Sequence, residues 1–243
     1  MSKKIVLFFF PFFILSSCTS QINLSKTPIG LINNISYKDA QYSNSNAGNG
    51  FLVSYKKQTY ALTAKHVLMI AKTPKMKFID FEGDLKEWRM YPKGDSSKVV
   101  ILDKLLNPSR TELLNWDAAM NNDWLAFSIK ENNTNHQALT LRTQALVVGE
   151  KLFIIGWSYN DKIGSQRVYE YKYARTDGNF HEIIQVNGPK SLGGLSGSPV
   201  VDENGNVVGL VSSGWEDEKT KEVVVAATSI KNIESFFGSL IKK

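Results

Sequence analysis

Gly193-Gly194-Leu195-Ser196-Gly197-Ser198-Pro199-Val200 is the stretch on which the reading of this chain turns. Three glycines and two serines precede an apolar run, Pro199-Val200-Val201, and then a turn, Asp202-Glu203-Asn204-Gly205. A serine flanked by glycines can sit on a sharp bend with its hydroxyl exposed, because glycine accepts backbone angles other residues avoid. The neighbouring N–H groups can then converge on a developing oxyanion. The same letters also describe an ordinary turn. A reactive serine therefore needs a base and a carboxylate elsewhere in the chain.

Both have candidates. His66 lies in Leu62-Thr63-Ala64-Lys65-His66-Val67, directly after an apolar strand-like run. Imidazole titrates near neutral pH and can take a serine proton, provided a carboxylate orients it. Asp123 opens Asp123-Trp124-Leu125-Ala126-Phe127, an acid just ahead of a buried strand. Asp117, in Trp116-Asp117-Ala118, is the runner-up. His136 falls in a polar stretch and His181 starts a strand, so neither is favoured as the base.

The scaffold around these residues reads as all-β. Short runs rich in β-branched and aromatic residues recur between turn signals, which argues for barrels or sandwiches over alternating βαβ units. A hairpin is expected over 50–55 and 59–63, with Lys56-Lys57-Gln58 as its turn. Further strands are expected at 76–81, 87–91, 99–102 and 124–129. A second series covers 138–141, 151–155, 167–174, 181–186, 200–201, 207–212 and 223–227. The polar run 131–136 separates the two series and suits a linker. Ile230, Ile233, Phe236, Phe237 and Leu240 then follow Ser229 at helical spacing, with Lys242-Lys243 near the helix C-terminus.

Thr63-Ala64-Lys65-His66, Asp123-Trp124-Leu125-Ala126 and Gly194-Leu195-Ser196-Gly197-Ser198-Pro199, in that order, resemble the three catalytic blocks of chymotrypsin-fold, trypsin-like serine peptidases. The disulfide-poor bacterial branch, with glutamyl endopeptidases and the HtrA protease domain, is the most similar. Gly48-Asn49-Gly50-Phe51 resembles the entry to the first hairpin, and Val148-Gly149-Glu150 through Gly156-Trp157 the opening of the second barrel. Gly209 to Gly214 resembles the strand that lines a substrate main chain. The resemblance implies two six-stranded antiparallel β-barrels with a C-terminal α-helix, the first over 28–135 and the second over 136–243. It implies Ser196 as nucleophile, His66 as base and acid, and Asp123 as orienting carboxylate. It further implies an oxyanion hole from the Gly194 and Ser196 N–H groups, and substrate contacts from Ser212, Ser213 and Gly214. Lys190 stands where the family often places the floor of the primary pocket; it either favours acidic side chains or is a solvated loop lysine. Leu195 departs from trypsin's aspartate and cannot make the ion pair that activates a zymogen. Hydrolysis of peptide bonds through an acyl-enzyme, without metal or cofactor, is the implied activity. A peptidase-like module that binds a partner, or needs one for activation, is the alternative. A Ser, acid, His order would have suggested an esterase-like hydrolase instead.

The N-terminus carries a different signal. Lys3-Lys4, an apolar run from Ile5 to Leu15 and the small residues Ser16-Ser17 read as a secretory signal over 1–17. Leu15-Ser16-Ser17-Cys18 resembles the lipoprotein box, which implies lipidation at Cys18 and a lipid-anchored tether over 18–27. The alternative is an ordinary cleaved signal with an incidental cysteine. Cys18 is the chain's one cysteine, so no disulfide forms within it. The net charge of +6 is scattered, which points away from nucleic acid. The expected partners are a polypeptide substrate and a membrane reached through the anchor, with the protein a monomer in the bacterial envelope.

Overall fold

The computed structural model describes residues 22–81, 83–161 and 164–240. The expected secretory signal over 1–17, Cys18 and the terminal Lys242-Lys243 lie outside the described residues. Strands β1 (Leu31–Tyr37), β2 (Asn49–Tyr55), β3 (Gln58–Thr63), β4 (Phe78–Ile79), β5 (Leu85–Tyr91), β6 (Val100–Leu105) and β7 (Ser109–Leu113) precede a short helix, α1 (Trp116–Asn121). Then come β8 (Leu125–Asn132), β9 (Leu139–Thr140), β10 (Lys151–Gly156), β11 (Arg167–Asp177), β12 (Phe180–Asn187), β13 (Pro199–Val201), β14 (Val207–Glu216), β15 (Val223–Ser229) and helix α2 (Ile230–Leu240).

Six strands pair antiparallel in the order β1-β5-β6-β8-β3-β2, and β1 also pairs with β2, which closes the first barrel. The second barrel closes in the order β10-β11-β12-β15-β14-β13. Two six-stranded barrels and a C-terminal helix are what the sequence implied. Closure removes the sheet edges that a stack of short strands would otherwise expose. In β5 the alternation buries Trp88 and Met90, and Trp88 packs on Phe127 at 4.8 Å between ring centroids. In β12 it buries His181 and Ile183.

Strands β1 and β7 and helix α1 were not foreseen. Strand β1 carries two asparagines, a turn signal by composition. Yet Asn33 is fully buried: its amide donates to the carbonyls of Ala47 and Asn49, and its oxygen accepts from the Trp88 indole at 3.0 Å. A satisfied polar network at the barrel seam replaces apolar alternation there. Strand β7 is mostly exposed and pairs only with β4, so it lacks the apolar signature of a core strand. Helix α1 is six residues long, too short to display a period. It starts where Asn115 caps it, accepting from the Ala118 N–H at 2.9 Å.

Other boundaries moved. The first hairpin turns on Lys56-Lys57 alone, because Gln58 already pairs with Tyr55. The strand expected at 138–141 shrinks to β9, which lies parallel to β2 of the first barrel. Part of the expected 18–27 tether is docked: Leu24 is buried, and the Gln166 amide donates to the Leu24 and Thr27 carbonyls. The Gln166 oxygen accepts from the N–H groups of Ile29 and Gly30, both at 2.8 Å. The C-terminal helix buries Ile230, Ile233 and Phe237, as its spacing required. It returns to the first barrel, where Phe237 stacks on Tyr60 at 4.5 Å and Phe236 meets Trp124 at 5.2 Å.

Candidate active site

The sequence places His66 just past the end of β3, Asp123 just ahead of β8 and Ser196 in the turn before β13. The barrels bring all three together. Asp123 is completely buried, and its carboxylate accepts from the His66 backbone N–H at 2.8 Å and meets the His66 Nδ1 at 2.6 Å. The Ser212 hydroxyl also donates to it. An ionised carboxylate only accepts, so Nδ1 carries the imidazole proton and the Nε2 lone pair is left free. That nitrogen lies 2.7 Å from the Ser196 Oγ. The double hold on His66, through backbone and ring, restricts both its position and its rotation.

Asp117 is the wrong acid. It sits exposed in the first turn of α1, where a carboxylate complements the helix dipole. Its neighbour Trp116 is half exposed, with its ring 6.0 Å from that of His66.

The turn around Ser196 is shaped by its contacts with the first barrel. Gly197 has φ +79°, and a Cβ there would lie 2.2 Å from the Asn49 carbonyl oxygen. The Asn49 N–H donates to the Ser196 carbonyl at 2.7 Å, and its side-chain amide reaches the carbonyls of Gly194 at 2.6 Å and Trp157 at 3.0 Å. The Trp157 N–H closes the set on the Asn49 Oδ1 at 3.2 Å. Asn49 is thus a polar bolt between the barrels, and sequence reading passed it over as part of a strand entry. A buried asparagine using every polar atom was its only signal, and that is invisible before folding.

The peptide between Gly193 and Gly194 is fixed from one side. The Tyr159 N–H donates to the Gly193 carbonyl at 2.8 Å. In a trans peptide C=O and N–H point oppositely, so the Gly194 N–H faces away from Tyr159. Among the described residues, neither it nor the Ser196 N–H has a protein acceptor. Gly194 holds φ +94°, and a Cβ there would press on the Tyr159 nitrogen at 2.6 Å. Leu195 is fully buried in the second barrel's core with Ile154, Tyr171 and Val200. An apolar anchor therefore stands where trypsin has its aspartate.

Ser212, Ser213 and Gly214 lie on β14. Residues 213–216 pair with β15 on one side, while β13 pairs only as far as Leu210 on the other. An open strand edge therefore begins beside Ser196. The Ser212 side chain is turned inward onto Asp123, away from that edge. Lys190 is exposed and makes no hydrogen bond or ion pair among the described residues, as a solvated loop lysine would.

The sequence profile of the trypsin-like peptidase domain family matches residues 48–210, a span that holds all three residues. The chain belongs to this family. No curated protein matches the sequence. Among solved structures, the trypsin-like fold recurs in a Glu endopeptidase in complex with MPD, with TM-score 0.60 and 15% identity, covering 92% of this chain and 96% of that one. Kallikrein-related peptidase 10 aligns with TM-score 0.60 and 15% identity over 91% of this chain and 98% of its own. The active form of the Rv3671c protease from M. tuberculosis aligns with TM-score 0.56 and 14% identity over 87% and 80%. Family and geometry together make this trypsin-like chain a serine-type endopeptidase.

Proposed function

We propose that this trypsin-like domain hydrolyses polypeptides through a Ser196 acyl-enzyme, exported and held at the bacterial envelope by a lipid on Cys18. The observation that carries the catalytic reading is the His66 ring bridging Asp123 and Ser196. In the first step the Ser196 Oγ attacks the scissile carbonyl carbon while the His66 Nε2 takes the hydroxyl proton. The carbonyl oxygen becomes an anion held by the Gly194 and Ser196 N–H groups. As the C–N bond breaks, the imidazolium returns that proton to the leaving amine. Water, activated by the same nitrogen, then releases the acyl group. No metal or cofactor enters these steps. The substrate main chain would add to the open edge of β14 at 213–214, and the enzyme would act as a monomer.

Anchoring rests on the lipoprotein-like end of the secretory segment. A lipid on Cys18 would hold the domain at a membrane surface and limit substrates to envelope or secreted polypeptides.

A fluorophosphonate probe tests the catalytic reading, because it needs an activated serine and a formed oxyanion hole but no knowledge of the substrate. Wild type should label, and Ser196→Ala and His66→Ala should not. Folded wild type that stays unlabelled would overturn constitutive activity and leave the binding-module alternative. For the anchor, Cys18→Ala should move the protein from the membrane fraction to the soluble one.

A further inference from the structure

The space next to Gly214, on the strand edge that runs on from beside Ser196, is already filled by the chain itself. An extended substrate on the open edge of β14, with its carbonyl at the Ser196 Oγ, must put the side chain on that carbonyl's residue into one place. Leu192, in the segment that leads to Ser196, approaches Gly214 on β14, as a Cβ built on Gly214 shows. That Cβ would lie 2.3 Å from the Leu192 Cδ1 and 3.4 Å from the Val225 Cγ2. Leu192 is half-buried and packs against the second barrel's core, so its methyls are seated there and not merely draped over the surface. Val225, opposite Gly214 in the β14–β15 ladder, is fully buried and closes the space beneath.

We propose that Leu192, backed by Val225, restricts cleavage to small residues such as alanine, glycine or serine at the scissile carbonyl. This rests on the peptidase reading above. A long aliphatic, aromatic or charged side chain would have to expel the leucine from its packing.

The test uses peptide amides that differ only at the scissile residue, carrying Ala, Phe, Glu or Arg, with wild type and Leu192→Ala. Wild type should cleave the Ala peptide with kcat/KM about tenfold or more above each of the others, the scale of discrimination a steric pocket provides. In Leu192→Ala the Phe-to-Ala ratio of kcat/KM should rise about tenfold or more. The proposal is overturned if wild type cleaves Phe, Glu or Arg peptides as well as Ala. It is equally overturned if the ratio stays unchanged in a variant that still labels with fluorophosphonate. Wild type that labels but shows no preference for Ala removes only the size restriction. An unlabelled wild type removes the peptidase reading and this proposal with it.

Discussion

The side-chain amide of Asn49, at the first residue of β2, donates to the carbonyl of Gly194 across the junction of the two barrels at 2.6 Å. The two residues come from different barrels, and the bond joins the frame that carries His66 to the turn that carries Ser196. With the Asn49 N–H on the Ser196 carbonyl, it fixes both ends of the segment whose N–H groups are proposed to hold the oxyanion.

Asn49→Ala should therefore act on the transition state more than on substrate binding. We expect kcat to fall roughly tenfold to a hundredfold with little change in KM, below the full loss of one oxyanion donor. Three backbone groups would also lose buried partners, which should cost about 2–4 kcal/mol in stability. Steady-state kinetics and urea unfolding read the two effects separately. An unchanged kcat in a destabilised variant would reduce Asn49 to a structural residue.

Leu195 holds the same turn from below, by burial. Truncation to alanine leaves a cavity in a core of Leu152, Ile154, Tyr171 and Val211, and should cost about 2–5 kcal/mol. Leu195→Asp introduces a carboxylate with no described cation beside it and should be more damaging still. Thermal unfolding and probe labelling of both variants would show whether stability and the formed oxyanion hole fall together.

The first hairpin carries a correctable strain. Lys56 and Lys57 have φ of 46° and 67°, the left-handed pair a two-residue turn requires, and neither is glycine or asparagine. Lys57→Gly, with Lys56→Asn where wanted, should raise stability by about 0.5–1 kcal/mol without altering kinetics, since the native backbone is then unstrained. The urea midpoint is the readout.

His181 predicts an acid sensitivity that is separate from catalysis. Burial, and secondarily the Lys231 charge, push its pKa down to about 4. Its Nδ1 lies 2.8 Å from the Thr176 Oγ1, and its ring meets Tyr173 edge-on at 5.8 Å. The unfolded chain thus binds a proton that the folded one refuses between about pH 6.5 and 4. Stability from this group is complete above pH 6.5 and drains away as pH falls to about 4, by roughly 3 kcal/mol in all. His181→Gln removes that slope. The difference between its unfolding free energy and that of wild type should shrink toward pH 4, while carboxylates common to both cancel.

Much of the architecture was legible before folding, because the signals that carry it are local. Glycine at 194 and 197, the apolar run after Pro199 and the hairpin around 56–57 each depend on a few neighbouring residues. The spacing of Ile230, Ile233 and Phe237 was equally readable, since one amphipathic face needs one partner surface. Strand β1 was not legible, because its asparagines are satisfied by Trp88 and by backbone groups distant in the chain. Nor was α1, whose single turn and a half carries no period.

The sequence by itself determined the catalytic residue types, their order His66, Asp123, Ser196, and the all-β frame, since each follows from local chemistry and local pattern. The sequence favoured Asp123 and left Asp117 as runner-up, and the tertiary structure decided between them. The choice depends on which carboxylate is buried against the His66 backbone and ring, and burial is a property of the closed barrels. Tertiary structure alone also made Asn49 a bolt between barrels, turned Ser212 inward onto Asp123 and set Leu192 against Gly214. Those contacts join residues far apart in sequence. Their distances exist only after chain entropy has been spent on closing two barrels, and no local pattern encodes them.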